Sequence, residues 1–224
     1  MSKKQTNSVI FIATLGVYIG LLMAGAAKNV NAQSEDVSNS PGSERVLNKK
    51  PFWDFAETLR TEIEANSIDL NSPFLVELKG TLNKDGFLEP ETSRFIRIER
   101  DLKLARLASS AIESVNSSGF FAYLSDIDAK EIGFLISQNE ADVDIILDFE
   151  TITSTRARSL QITLNTLIDT VKQRNSLEDA TEAQKDDLVL LKAMKITAHD
   201  KTVKIGLSMP KAEFHALVIK YVQR

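Results

Sequence analysis

The stretch EIGFLISQNEADVDIILDFE, residues 131–150, decides the fold class. Two short apolar runs flank a polar turn. In the second run Asp142 and Asp144 alternate with Val143 and Ile145, which is the period of a strand with one face toward solvent. The stretch therefore predicts a β-hairpin, with both aspartates on the solvent side.

The same strand–turn–strand order occurs twice more. Residues 74–99, FLVELKGTLNKDGFLEPETSRFIRIE, alternate apolar and polar positions before the turn signal NKDG, and apolar residues return after it. Residues 194–209, MKITAHDKTVKIGLSM, repeat the order near the C-terminus. The sequence thus predicts three hairpins.

Segments of helical period surround these hairpins, with apolar residues spaced three or four apart. Gly119, Thr181 with Gln184, and Pro210 supply a C-cap, a capping box and a helix start. The predicted helices cover about 51–66, 104–119 and 154–174, then a segment from Thr181 to Met194 and a last one from Pro210.

Helices that alternate with hairpins must bury their apolar stripes on the sheet. The predicted fold is α+β: a membrane helix, then an antiparallel sheet of hairpins in ββα units with helices packed on one face. One continuous sheet is preferred. The alternative is two subdomains that divide near residue 151.

The N-terminal segment indicates a membrane anchor. Val9–Ala27 is a run of 19 residues without a charge, about 28 Å long as a helix and close to the thickness of a bilayer core. Lys3 and Lys4 precede it and favour a cytoplasmic N-terminus. We expect a single pass of the inner membrane, with the folded part in the periplasm.

The expected domains are an anchor at 1–32, a flexible linker at 33–50 and an extracytoplasmic domain at 51–224. Gly16, Gly20 and Ala24 recur every fourth residue, so another helix could approach this face closely and form a homodimer. Cleavage near Ala32, which would release a soluble periplasmic protein, is the alternative.

Composition excludes several classes of function. Residues 33–224 hold 24 basic and 31 acidic residues, a net charge of 24 − 31 = −7, which disfavours nucleic acid as a partner. The chain has no cysteine, so disulfides, thiol nucleophiles and thiolate metal sites are ruled out.

No catalytic, cofactor-binding or metal-ligating residue is predicted. His199 stands in the turn AHDK and His215 in the last helix, and neither has a second histidine at metal-ligand spacing. Asp126, Asp128 and Glu131 resemble a fragment of a calcium loop that lacks its other ligands. The chain is therefore not expected to be an enzyme.

Residues 74–150 resemble the C-terminal domain of TonB-type energy transducers. The likeness rests on the Asp85-Gly86 turn, on Ala105, Ala108 and Ala111 in the following helix, and on the strand 143–149. It implies a related fold only. The family's proline-rich spacer has no counterpart in an 18-residue linker with one proline, so the linker is too short for energy transduction to the outer membrane.

These observations favour a membrane-tethered periplasmic domain that binds other envelope or membrane proteins through exposed strand edges. Two alternatives stay open. One is an accessory or capping subunit of a membrane complex, and the other is a secreted periplasmic binding protein.

Overall fold

The computed structural model describes residues 47–125 and 127–222. The predicted membrane helix with Gly16, Gly20 and Ala24 lies outside these residues, as do the alternative cleavage site and Asp126. None of the helices in the described part combines the length with the apolar character that crossing a bilayer requires.

The described residues form six helices and six strands. The helices are α1 (Lys50–Glu64), α2 (Leu102–Ser117), α3 (Ala122–Ser125), α4 (Ser154–Asn175), α5 (Glu182–Ala193) and α6 (Lys211–Val222). The strands are β1 (Phe74–Thr81), β2 (Arg94–Arg100), β3 (Glu131–Gln138), β4 (Asp142–Glu150), β5 (Met194–His199) and β6 (Thr202–Pro210).

All six strands belong to one open sheet in the order β2-β1-β3-β4-β6-β5, and every pairing is antiparallel. The α+β class and the three hairpins are thus confirmed. The sheet continues across residue 151, because β4 pairs with β6 along its whole length.

The first hairpin differs from its prediction. Asn83 and Gly86 form the expected turn, with the Gly86 amide donating to the Asn83 carbonyl at 3.0 Å. After the turn, however, Leu82 and Leu88 make only an isolated bridge, and β2 begins at Arg94. The residues between turn and strand form a loop because Pro90 and its polar neighbours cannot continue the ladder.

Two helix boundaries also differ slightly. Met194 is the first residue of β5 rather than the end of α5, and Pro210 ends β6, so α6 begins at Lys211. The capping box is confirmed: the Thr181 hydroxyl accepts from the Gln184 amide, and the Gln184 side chain accepts from the Thr181 amide.

The core lies between one face of the sheet and the helices. On β4, Val143, Leu147 and Phe149 are buried on this face, whereas Asp142 and Asp144 lie on the opposite, open face, as predicted. Helix α2 contacts β1 and β2, α6 contacts β4 and β6, and α4 contacts β5 and β6.

Helix α1 packs mainly against α2 and α6 and lies over the space between them. Phe52, Phe55 and Leu59 are its buried residues. Trp53 is half-buried against the core. Near the centre of the sheet, α6 contacts β4 and β6, and Ile136 and Ile145 are only half-buried there.

Candidate functional site

The outer edge of the sheet at β2 is the first candidate site. Strand β2 pairs with β1 on one side only, and no described element pairs with its other side. Ile96 and Ile98 are 38% and 46% exposed, unusual values for large apolar residues in a strand. The edge therefore offers unpaired backbone groups beside apolar side chains.

A bulge lies in this edge strand. The register passes from Leu78 opposite Phe95 to Glu77 opposite Arg97, which leaves Ile96 as the extra residue. Bulges and charged side chains are devices by which edge strands avoid indiscriminate pairing. These features oppose pairing with an arbitrary strand.

The opposite edge, at β5, is contacted by α4. From α4, the Gln161 side-chain amide donates to the Ile196 carbonyl at 3.3 Å, and Asn165 approaches the same carbonyl at 3.5 Å. A helix beside an edge strand hinders the approach of another strand. Within the described residues both edge strands pair on one side only, and β5 is the one at which helix side chains bond a main-chain carbonyl.

The β2 edge is locally basic, although the chain as a whole has a net charge of −4. Strand β2 contains three arginines and one glutamate. Arg97 forms ion pairs with Glu99 at 2.9 Å and with Glu77 at 3.8 Å. The remaining positive charge makes this edge complementary to an acidic partner.

A cavity of about 160 Å³ lies between the sheet and the helices. Its floor is the centre of a row of directly opposed residues that crosses the sheet: Val76, Ile136, Ile145 and Leu207. Val76 and Leu207 are buried, but Ile136 and Ile145 are only half-buried, although they face the helices. The gap between α2 and α6 thus leaves apolar surface uncovered at the centre of the sheet.

One end of the cavity is polar. Gln138 is buried, and its side-chain amide donates to the Leu70 and Ser72 carbonyls at 2.7 and 2.8 Å. Since both amide protons are used, its Oε1 accepts from Nε2 of His215 at 2.8 Å. This network fixes the neutral His215 ring in the Nε2–H tautomer, with Nδ1 as acceptor.

Burial lowers the pKa of His215, and the charge of Lys211 lowers it further, while Asp69 acts in the opposite direction. Desolvation disfavours the charged imidazolium. At neutral pH the polar end of the cavity is therefore uncharged.

A third feature is a polar depression on the open face, over Gly133 on β3. Burial raises the pKa of the Asp148 carboxyl, against the opposing effects of Lys204 and Lys79. A Cβ on Gly133 would come within 2.7 Å of this carboxylate. The glycine makes room for the acid, and the two lysines on either side balance its charge.

Comparison with protein-family models, with curated proteins and with solved structures finds no match to this chain. The candidate sites consequently rest on geometry and charge.

The two histidines lie in different environments. The His199 side chain is 93% exposed in its turn, as predicted, whereas His215 lines the cavity and pairs with Gln138. Asp128 pairs with Arg156 at 3.3 Å, and Glu131 begins β3. Over the described ranges no group of three His, Asp or Glu residues is close enough to hold a metal ion.

Sequence reasoning missed the Gln138–His215 pair, because 77 positions separate its members. The one local signal is the glutamine that ends the apolar run FLISQ on a helix-facing position of β3. A polar residue at a core-facing position requires a buried partner.

Proposed function

We propose that this chain is a membrane-tethered envelope protein whose folded part binds an extended segment of another envelope protein along β2. The observation that carries the proposal is the β2 edge, which pairs with a described strand on one side only and exposes Ile96 and Ile98. Addition of a strand to an exposed edge gives affinity through main-chain hydrogen bonds and specificity through side chains.

The side chains of β2 indicate the composition of the partner's segment. The arginines of β2 favour a strand with acidic residues, and Ile96 and Ile98 favour apolar residues between them. A second copy fits poorly, because pairing the whole strand with itself places Arg94 opposite Arg100 and Arg97 opposite Arg97. The proposed occupant is thus an acidic and apolar segment of a different protein.

The tether restricts where this partner lies. The 18 residues from 33 to 50 reach about 25 Å as a coil and about 60 Å fully extended. With Val9–Ala27 as a retained anchor, the domain meets only proteins in or near the same membrane. A TonB-like role at the outer membrane would need a longer spacer.

The test uses the full chain in lipid nanodiscs and a heptapeptide of alternating Glu and Val. Hydrogen exchange of the β2 amides should slow at least about fivefold on binding, whereas a matched Lys–Val peptide should leave the rate unchanged. Ile98→Asp should remove the protection. Ile162→Asp, at an exposed isoleucine of α4, should retain it.

Three results would contradict the proposal: equal protection by both peptides, protection at β5 instead of β2, and protection that survives Ile98→Asp. Anionic vesicles without peptide provide a further arm. If they alone protect β2, the edge contacts lipid rather than protein.

A further inference from the structure

We infer that the cavity over Ile136 and Ile145 is a binding site for a small, uncharged hydrophobic molecule. This site is separate from the β2 edge, and ligand binding there does not require the proposed protein partner. Three observations carry it: the size of the cavity, the chemistry of its lining and the exposure of its floor.

The size indicates a ligand of a few carbon atoms. The cavity holds about 160 Å³, and an engineered apolar cavity of about 150 Å³ in another protein stays dry and binds benzene. A ring of benzene or toluene size therefore fits, whereas a long acyl chain or an amphipathic helix does not.

The lining selects against charge. Apart from Gln138 and His215 its side chains are apolar, and they come from α1, α2, α5, α6, β5 and the central strands. Within the part of the chain that the structure describes, no lysine, arginine, aspartate or glutamate lines the cavity, so a charged ligand would lose its hydration without compensation. Lys211, the nearby cation, donates to the Asn71 carbonyl at 3.2 Å outside the lining.

The floor and margins show that the cavity is accessible. Ile136 and Ile145 are half-buried at the centre of the sheet, and Phe74 and Leu107 are half-buried at the margin. A hydrophobic ligand that covers such apolar surface removes it from water, which is favourable. Helix α1 contributes Phe55 and Leu59 to the lining.

The test measures toluene binding by the full chain in nanodiscs, through the δ1 methyl NMR signals of its isoleucines. Toluene should shift the Ile136 and Ile145 methyls in a saturable manner. The methyl of Ile162, 61% exposed on α4, reports non-specific partitioning and should shift only linearly. Benzoate, the charged relative of toluene, should cause no saturable shift.

Two variants make the test specific. Ala111→Leu adds three carbons to the lining on α2 and should weaken toluene binding at least about tenfold. Ala216→Leu makes the same change at an exposed position of α6 and should leave the affinity unchanged. Leu107→Ala, which enlarges the cavity, should increase the affinity for butylbenzene relative to toluene.

Absence of a saturable shift at Ile136 and Ile145 would overturn the inference and reduce the cavity to a packing void. So would equal binding of benzoate, or unchanged toluene affinity in a folded Ala111→Leu protein. If Ala111→Leu fails to fold, the change in ligand preference of Leu107→Ala decides the question.

Discussion

Gly86 and Gly119 have the same backbone conformation but very different surroundings. Their φ angles are +80° and +76°, in the left-handed region that favours glycine. A Cβ on Gly86 would come within 2.1 Å of the Ala122 backbone in α3, whereas none of the described residues has an atom within 4 Å of a Cβ on Gly119, its chain neighbours aside. Alanine substitutions at these two positions therefore distinguish the cost of conformational strain from the cost of a steric collision.

We expect Gly86→Ala to lower the free energy of unfolding by about 2–4 kcal/mol, because strain and a backbone collision add. Gly119→Ala should cost about 1 kcal/mol, from strain alone. Urea denaturation of both variants measures the difference. Equal losses would mean that the contact between the Gly86 turn and α3 is not tight in solution.

At the scale of the element, capping residues fix where helices begin. Asp101 accepts from the amides of Lys103 and Leu104 at the start of α2, and the Thr153 hydroxyl accepts from the Arg156 amide at the start of α4. Each bond satisfies a backbone donor that the helix itself cannot pair. Local chemistry of this kind is visible in the sequence.

Thr181→Ala should destabilise the protein by about 1 kcal/mol, because it removes the hydroxyl of the capping box at α5. Thr181→Asp should retain most of the stability, since a carboxylate also caps. Thr170→Ala is the matched control: that exposed hydroxyl donates within α4, to the Thr166 carbonyl at 2.8 Å. Thermal unfolding of the three variants measures the order, and a loss of the same size in Thr170→Ala would contradict the assignment.

At the scale of the whole molecule, the network of Gln138 and His215 connects α6, β3 and the loop before β1. These elements are remote in the sequence, and the network seals one end of the cavity that they share. The protonation state of His215 is therefore linked to the stability of the entire fold.

We expect the free energy of unfolding to fall as the pH decreases below about 6.5. The unfolded chain takes up a proton on residue 215 at the ordinary histidine pKa, whereas the folded state, in which the pKa of His215 is lowered, resists it. The contribution is thus complete above about pH 6.5 and is lost as the pH falls through the lower pKa of the folded state.

Chemical denaturation between about pH 7.5 and about pH 5.5 measures this dependence above the range in which carboxylates titrate. His215→Gln should flatten the slope. His199→Gln, at the exposed histidine, should keep it, and a slope that persists in His215→Gln would assign the effect to other groups.

The sequence alone determined the structural features that depend on residues close together in the chain. Alternation in 131–150 predicted the central hairpin, Asp85-Gly86 predicted a turn, and Thr181 with Gln184 predicted a helix start. These features are local, because a period of two or 3.6 residues and a side-chain cap involve groups only a few positions apart. The α+β class follows from their order along the chain.

Only the tertiary structure decided which strands are neighbours, which strands form the edges of the sheet and which residues line the cavity. The period of a strand tells which residues share a face but not which strand comes beside it, so the pairing of β4 with β6 was not readable. The same holds for the hydrogen bond from Gln161 to the Ile196 carbonyl of β5, and for Gln138 and His215, 77 residues apart. These contacts close long loops, and their free energy depends on the packing of the whole core rather than on any local pattern.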